Sequence, residues 1–134
     1  MSRDQQACPF CDRIARGEVD IADDPLMVAL RDAFPVSPGH SLVVPRRHVA
    51  SWLDLTAAEA AHAWTLVART TRSLDLAHHP DGYNLGVNVG AAAGQTVAHA
   101  HLHLIPRYAG DAPDPRGGVR WILPAQARYW DRTP

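Results

Sequence analysis

Lysine is absent from this 134-residue chain, and cysteine occurs only twice. Positive charge therefore rests on thirteen arginines, set against fourteen acidic residues for a formal net charge of −1. That balance gives no reason to expect a general binder of nucleic-acid polymers or membrane surfaces. No apolar run approaches the roughly 18 residues that a membrane span requires. The opening MSRDQQACPF is polar and lacks the apolar core of a signal peptide, so the cytoplasm is the expected compartment. In a reducing cytosol Cys8 and Cys11, in CPFC, read as a thiolate pair for a metal or redox chemistry rather than as a structural disulfide. Internal repeats and low-complexity segments are also missing.

What remains is an ordinary globular composition, 46% hydrophobic and 20% charged, in a length suited to one compact domain. The segments 26–34 (LMVALRDAF) and 40–47 (HSLVVPRR) read as strands joined by the turn-rich PVSPG. Residues 56–77 form the one long helix, opened by the capping-box pair Thr56 and Glu59. Ala60, Trp64, Val67, Thr71 and Leu74 recur at helical spacing and mark its expected core face. Segments 83–90 and 96–106 read as two further strands, an antiparallel pair joined by the short AAAGQ link. A short N-terminal helix is expected near 11–17, and Gly17 stops it. The fold class is thus α+β: an antiparallel sheet of about five strands, one long helix and a short N-terminal helix. The core spans about 8–107 of a single 1–134 domain. The tail, about 108–134, is rich in proline and glycine, and its Trp121, Tyr129 and Trp130 suit packing better than ligand contact.

The chemistry concentrates in TVAHAHLHLIPR, residues 96–107. Alternate strand residues share a face, so His99, His101 and His103 point one way while Ala100, Leu102 and Leu104 point to the core. Three buried imidazoles without partners would be costly. Two functional readings follow: shared ligation of one metal ion, or nucleophilic catalysis by one imidazole supported by its neighbours. Upstream, Gly90, Gly94, Gln95 and Thr96 form a loop able to present backbone N–H groups to an anion.

HAHLHLI resembles the His-φ-His-φ-His-φ-φ signature of the histidine-triad (HIT) superfamily of nucleotide hydrolases and transferases. The likeness extends through NVGAAAGQTVAHAHLHLIPR, RDAFPVSPGHSLVVPRRH and CPFCDRIARGE, in the family's order and over nearly the whole chain. It implies that His101 attacks the α-phosphorus of a bound nucleotide to form a nucleotidyl-histidine that water hydrolyses. His103 would donate to the phosphate or leaving group, and His40 would support the triad. Asn88, Gly94, Gln95 and Thr96 would hold the phosphate, Asp32 the ribose hydroxyls, and Leu30 and Ala33 would wall the base. Arg107 stands where it can meet a polyphosphate or remain solvated. The resemblance also implies a structural zinc ion (Zn2+) on Cys8, Cys11, His48 and His99, and a homodimer. His62, His78 and His79 match nothing functional. The stretch ending Ile105-Pro106-Arg107 is closer to hydrolases of dinucleoside polyphosphates such as diadenosine tetraphosphate. The alternatives are a Hint-type nucleoside phosphoramidate hydrolase and a non-catalytic nucleotide- or zinc-binding module.

Overall fold

The computed structural model describes residues 7–18 and 20–133. Helix α1 (Pro9–Ala15) is followed by β1 (Ala22–Asp23), β2 (Met27–Arg31), β3 (Ser41–Pro45), α2 (Ala57–His78), β4 (Gly82–Val87), β5 (Leu102–Arg107) and a final turn of helix, α3 (Pro124–Ala127). The strands form one antiparallel sheet in the order β1-β2-β3-β5-β4, bearing out the expected α+β class.

Strands β2 and β3 are buried along nearly their whole length, which explains why MVAL and SLVVP read as continuous runs rather than alternating ones. On one face Met27, Ala29, Val43, Leu102 and Leu104 pack under α2 through Ala63, Leu66, Val67 and Leu74. On the other, Val28, Leu30, Leu42 and Val44 pack beneath Cys8 and Phe10. Each large aliphatic side chain so buried contributes about 1.5–3 kcal/mol. The sheet is therefore clamped from both sides, and the second layer carries α1 and its cysteines.

Helix α2 begins where expected. The Thr56 hydroxyl accepts from Glu59 N–H at 3.0 Å, and Glu59 Oε1 accepts from Thr56 N–H at 2.9 Å. Its core face differs from the expectation, running through Glu59, Ala63, Leu66, Val67, Thr70 and Leu74. Trp64, expected in the core, is 62% exposed. The buried stripe keeps the expected Val67 and Leu74 but is rotated by about one residue, so that Ala63 and Leu66 meet the sheet.

Other parts of the fold also differ from the expectation. Strand β5 starts at Leu102 rather than near Thr96, so His99 and His101 precede the sheet ladder. The connection from β4 is correspondingly long, residues 88–101, with a turn of 3-10 helix at Ala91–Ala93. The two-residue β1 has no apolar alternation to announce it. After β5 the tail folds back through a 3-10 turn at Gly118–Ile122, next to β4. No helix among the described residues is long and apolar enough to cross a membrane.

Candidate active site

The loop that delivers the histidines is stapled by a side chain. Gln95 Oε1 accepts from Gly90 N–H, while its Nε2 donates to the carbonyls of Ala50 (2.7 Å) and Val97 (2.9 Å). Gln95 thus spends its amide on the loop itself and does not line the neighbouring cleft. Gly90 and Gly94, at φ 86° and 89°, adopt the left-handed backbone that lets the loop turn. Ala100 N–H then donates to Val49 O at 2.7 Å, which lays the histidine run beside the segment carrying His48.

Backbone partners dictate the tautomers of three imidazoles, and one of these sets the tautomer of a fourth. A carbonyl only accepts and an N–H only donates, so each contact assigns the ring nitrogen it touches. His99 Nε2 donates to Pro45 O at 2.8 Å, leaving its Nδ1 with a lone pair. His101 Nδ1 donates to His99 O at 2.8 Å, so the lone pair of the neutral ring lies on Nε2. His40 Nδ1 accepts from Val36 N–H at 3.1 Å, so its Nε2 carries the proton and donates it to His103 Nδ1 at 3.0 Å. His103 must then carry its own proton on Nε2.

Two clusters of possible metal ligands lie within this network, and the tautomers separate them. In the first, His99 Nδ1 stands 3.3 Å from Cys8 Sγ, 3.5 Å from Cys11 Sγ and 3.2 Å from His48 Nδ1. Cys11 Sγ is 3.2 Å from His48 Nδ1. Tetrahedral sulfur and nitrogen ligands of one zinc ion stand roughly 3.3–3.6 Å apart, so this set fits. The His99 ring also has the arrangement typical of a metal ligand, with its other nitrogen donating to a carbonyl. Burial, with lesser help from His48 and His101, pulls the His99 pKa down to about 4 and keeps the ring neutral. Burial and the adjacent Cys8 push the Cys11 thiol up to about 11, a crowding that a cation would relieve.

The second cluster joins His40 Nε2, His103 Nδ1 and Asp32. The Asp32 Oδ2 lies 3.4 Å from His40 and 3.8 Å from His103. Distance alone would admit a metal, but His40 Nε2 is a donor and has no lone pair to offer. This group is a hydrogen-bond network. Burial lowers the pKa of both His40 and His103, with Asp32 opposing in each case, so both rings are neutral near pH 7.

A cleft of about 450 Å³ opens over this network. Asp32, Ala33, Asn88, Gly94, Thr96, His101 and His103 border it, as do the unexpected Phe10, Arg13, Phe34, Leu42 and Val97. Leu30, expected as a wall, is fully buried in the layer below and supports the cleft from beneath. Phe10 was legible only as part of CPFC, yet its ring lies 5.0 Å from His101 and 5.7 Å from His99. A second cleft of about 440 Å³ lies beyond His103 and Asn88, walled by His40, Asn84, Leu85 and Val119 among others. Arg107 also borders it, already paired with Asp111 (2.7 Å) and donating to Asn84 Oδ1 (2.7 Å). Gly39, at φ 88°, makes the turn before His40, where a Cβ would press on His78, Leu74 and Pro106. Of the remaining histidines, His62 bonds Asp24 and His79 caps α2. The tail aromatics pack locally, Trp130 under Arg116 at 4.2 Å.

The family model described as the HIT domain matches residues 17–110. The chain belongs to the HIT family. It is 38% identical over 93 residues to a protein named AP-4-A phosphorylase from Mycobacterium tuberculosis (strain ATCC 25618 / H37Rv), a match covering 69% of this chain and 48% of that one. The chain therefore spans about half the length of that relative. It is 36% identical over 104 residues to adenosine 5′-monophosphoramidase hnt1 from Schizosaccharomyces pombe, covering 75% of this chain and 74% of that one. Among solved structures, a zinc-bound histidine-triad family protein from Mycobacterium smegmatis superposes with a TM-score of 0.70 at 32% identity, covering 90% of this chain and 94% of the other. The HIT model covers the sheet, α2 and all three triad histidines but not the tail that walls the second cleft.

Proposed function

We propose that this HIT protein hydrolyses a nucleotide at its α-phosphate through a covalent nucleotidyl-histidine on His101, with a dinucleoside polyphosphate of the diadenosine tetraphosphate kind as substrate. One observation carries the reading: His101 Nδ1 is committed to His99 O at 2.8 Å, so the free lone pair belongs to Nε2 on a ring that borders the cleft. An imidazole so fixed is positioned as a nucleophile.

In the first step the Nε2 lone pair forms a bond to the α-phosphorus. The bond to the bridging oxygen breaks, and its electron pair leaves with the polyphosphate. His103 Nε2–H donates to that oxygen as charge develops there. In the second step water attacks phosphorus, the P–N bond breaks, and its electron pair returns to His101. The nucleoside monophosphate departs with the water's oxygen, and the surplus proton passes to solvent. Asn88 and the Gly94–Thr96 backbone hold the phosphate, Gln95 keeps that loop in shape, and Asp32 accepts from the ribose. Ala33, with Phe10, Phe34 and Val97, receives the base. Cys8, Cys11, His48 and His99 would hold a zinc ion, which would supply a structural tie and no reacting atom. A reducing cytoplasm suits the two free cysteines. The unpaired outer edge of β4, last in the sheet order, suits a homodimer.

The second cleft supports a substrate with a group on each side of the scissile bond, since it meets the first at His103 and Asn88. The similarity to the phosphoramidase over most of both chains favours a second reading, cleavage of a P–N bond at the same phosphorus. A panel of diadenosine polyphosphates and adenosine phosphoramidates, run with wild type and His101→Ala, separates these. Preferential turnover of a dinucleotide, abolished in His101→Ala, is the expected result. Preferential turnover of a phosphoramidate selects the second reading, and nucleotide binding without turnover of any member leaves only a binding module.

A further inference from the structure

The Asp32 carboxylate has two neighbours that the proposed function uses separately. It borders the nucleoside cleft, and among the described residues it is the one acidic group acting on His40 and His103. Both relations are held by backbone. Asp32 N–H donates to His40 O at 3.0 Å, one step past the final Arg31–Ser41 pair of β2 and β3. His103 lies opposite Leu42 on the next strand. Phe34 N–H fixes Asp32 Oδ1 at 2.8 Å, which leaves Oδ2 facing the two rings at 3.4 and 3.8 Å. These separations are long for hydrogen bonds but short for a charge acting on a partly buried pair.

We propose that Asp32 couples recognition of the ribose to the leaving-group histidine, so that sugar hydroxyls bound by this carboxylate change the proton-donating strength of His103. The inference rests on the nucleotide reading of the cleft. A hydroxyl that donates to the carboxylate withdraws negative charge from it. The His40–His103 pair then holds a proton less firmly, and His103 Nε2–H becomes a stronger donor to the departing oxygen. A substrate lacking a hydroxyl leaves the carboxylate more negative and the donor weaker. Sugar selectivity is thereby expressed in the chemical step as well as in binding. The other charged or titratable groups around the pair are His101 ahead of β5, Arg107 in the second cleft and Arg13 in the first. Arg13 is engaged by Glu18 and Asp20 and Arg107 by Asp111, which leaves Asp32 as the acidic group free to respond to the sugar.

The test uses the zinc-loaded protein saturated with AMP or with 2′-deoxy-AMP, two ligands of equal phosphate charge. Imidazole nitrogen resonances of His40 and His103 report their titration directly and require no turnover. Failure of the hydrolase reading would therefore leave this test intact. The midpoint of the pair is expected to lie lower with AMP than with 2′-deoxy-AMP, and Asp32→Asn, which keeps the acceptor for Phe34 N–H, is expected to erase the difference. In turnover, removing the 2′-hydroxyl is expected to lower kcat by up to about tenfold, the equivalent of about one pKa unit, rather than only raise KM. Equal midpoints with the two saturating nucleotides, or a difference that persists in Asp32→Asn, would overturn the coupling. So would a sugar effect confined to KM.

Discussion

Stripping the metal from the Cys8–Cys11–His48–His99 cluster should cost the stability of a long-range cross-link. The cluster joins Cys8 at the start of α1 to His99, 91 positions away. A constraint closing a loop of that length is worth about 4–5 kcal/mol in chain entropy. Little else offsets its loss locally, because Phe10 is the one buried residue of α1. For a chain of 134 residues, the usual unfolding entropy per residue turns this into a fall in Tm of about 15 °C. Calorimetry of zinc-loaded protein, chelator-treated protein and Cys11→Ser gives the comparison. The two metal-free samples should melt together, well below the loaded one. Turnover should fall as well, since the carbonyl of His99, a residue of that cluster, is what holds His101 Nδ1. Loaded and stripped protein melting within a few degrees of each other would refute the cross-link argument. Fewer than about one zinc per chain after mild purification would refute the site itself.

The helix register makes a second, independent prediction. Leu66→Ala, at a fully buried position, should cost about 2–5 kcal/mol in urea unfolding. Trp64→Ser on the exposed side of α2 should stay within about 0.5 kcal/mol of wild type, and a larger loss would restore Trp64 to the core. A third concerns acid. Hydrogen bonds from Arg47, aided by the Thr56 backbone, hold the Glu59 carboxyl below its ordinary 4.5 against the opposing effect of burial. Its stabilisation is complete above the unfolded value and is lost as pH falls through the folded one. Urea midpoints should therefore decline below about pH 4.5, and Glu59→Gln should flatten that decline. An unchanged slope would remove Glu59 from the acid response.

Much of the frame was legible because local rules and the fold agree. Thr56 and Glu59 announced the helix start, and β2 and β3 were plain as apolar runs. The alternation of His101, Leu102, His103 and Leu104 also holds, with both leucines buried in the core under α2. Trp64 misled because it shares the helical spacing of Val67 and Leu74, whereas the stripe that meets the sheet runs one residue earlier, through Ala63 and Leu66. Strand β5 was drawn too long because residues 96–101 share its pattern while their backbone groups serve the loop and Val49. Leu30 was assigned one layer too high, since a family resemblance carries over a position in the sequence but not its depth. The meeting of Asp32, His40 and His103 depends on three adjacent strands coming into register, and no local pattern encodes it. Val36 gave no signal either: it acts through its backbone N–H, which any residue but proline provides.

The proposed reaction passes through a covalent intermediate on one nitrogen, Nε2 of His101. Rapid quench of wild type during turnover of diadenosine tetraphosphate, under alkaline conditions that preserve phosphoramidate bonds, followed by peptide mass spectrometry, tests it directly. The expected result is one adenylyl group on His101, formed and discharged at rates that account for kcat and absent in His101→Ala. Steady turnover with no adduct on His101, or with the adduct on His99 or His103, would contradict it.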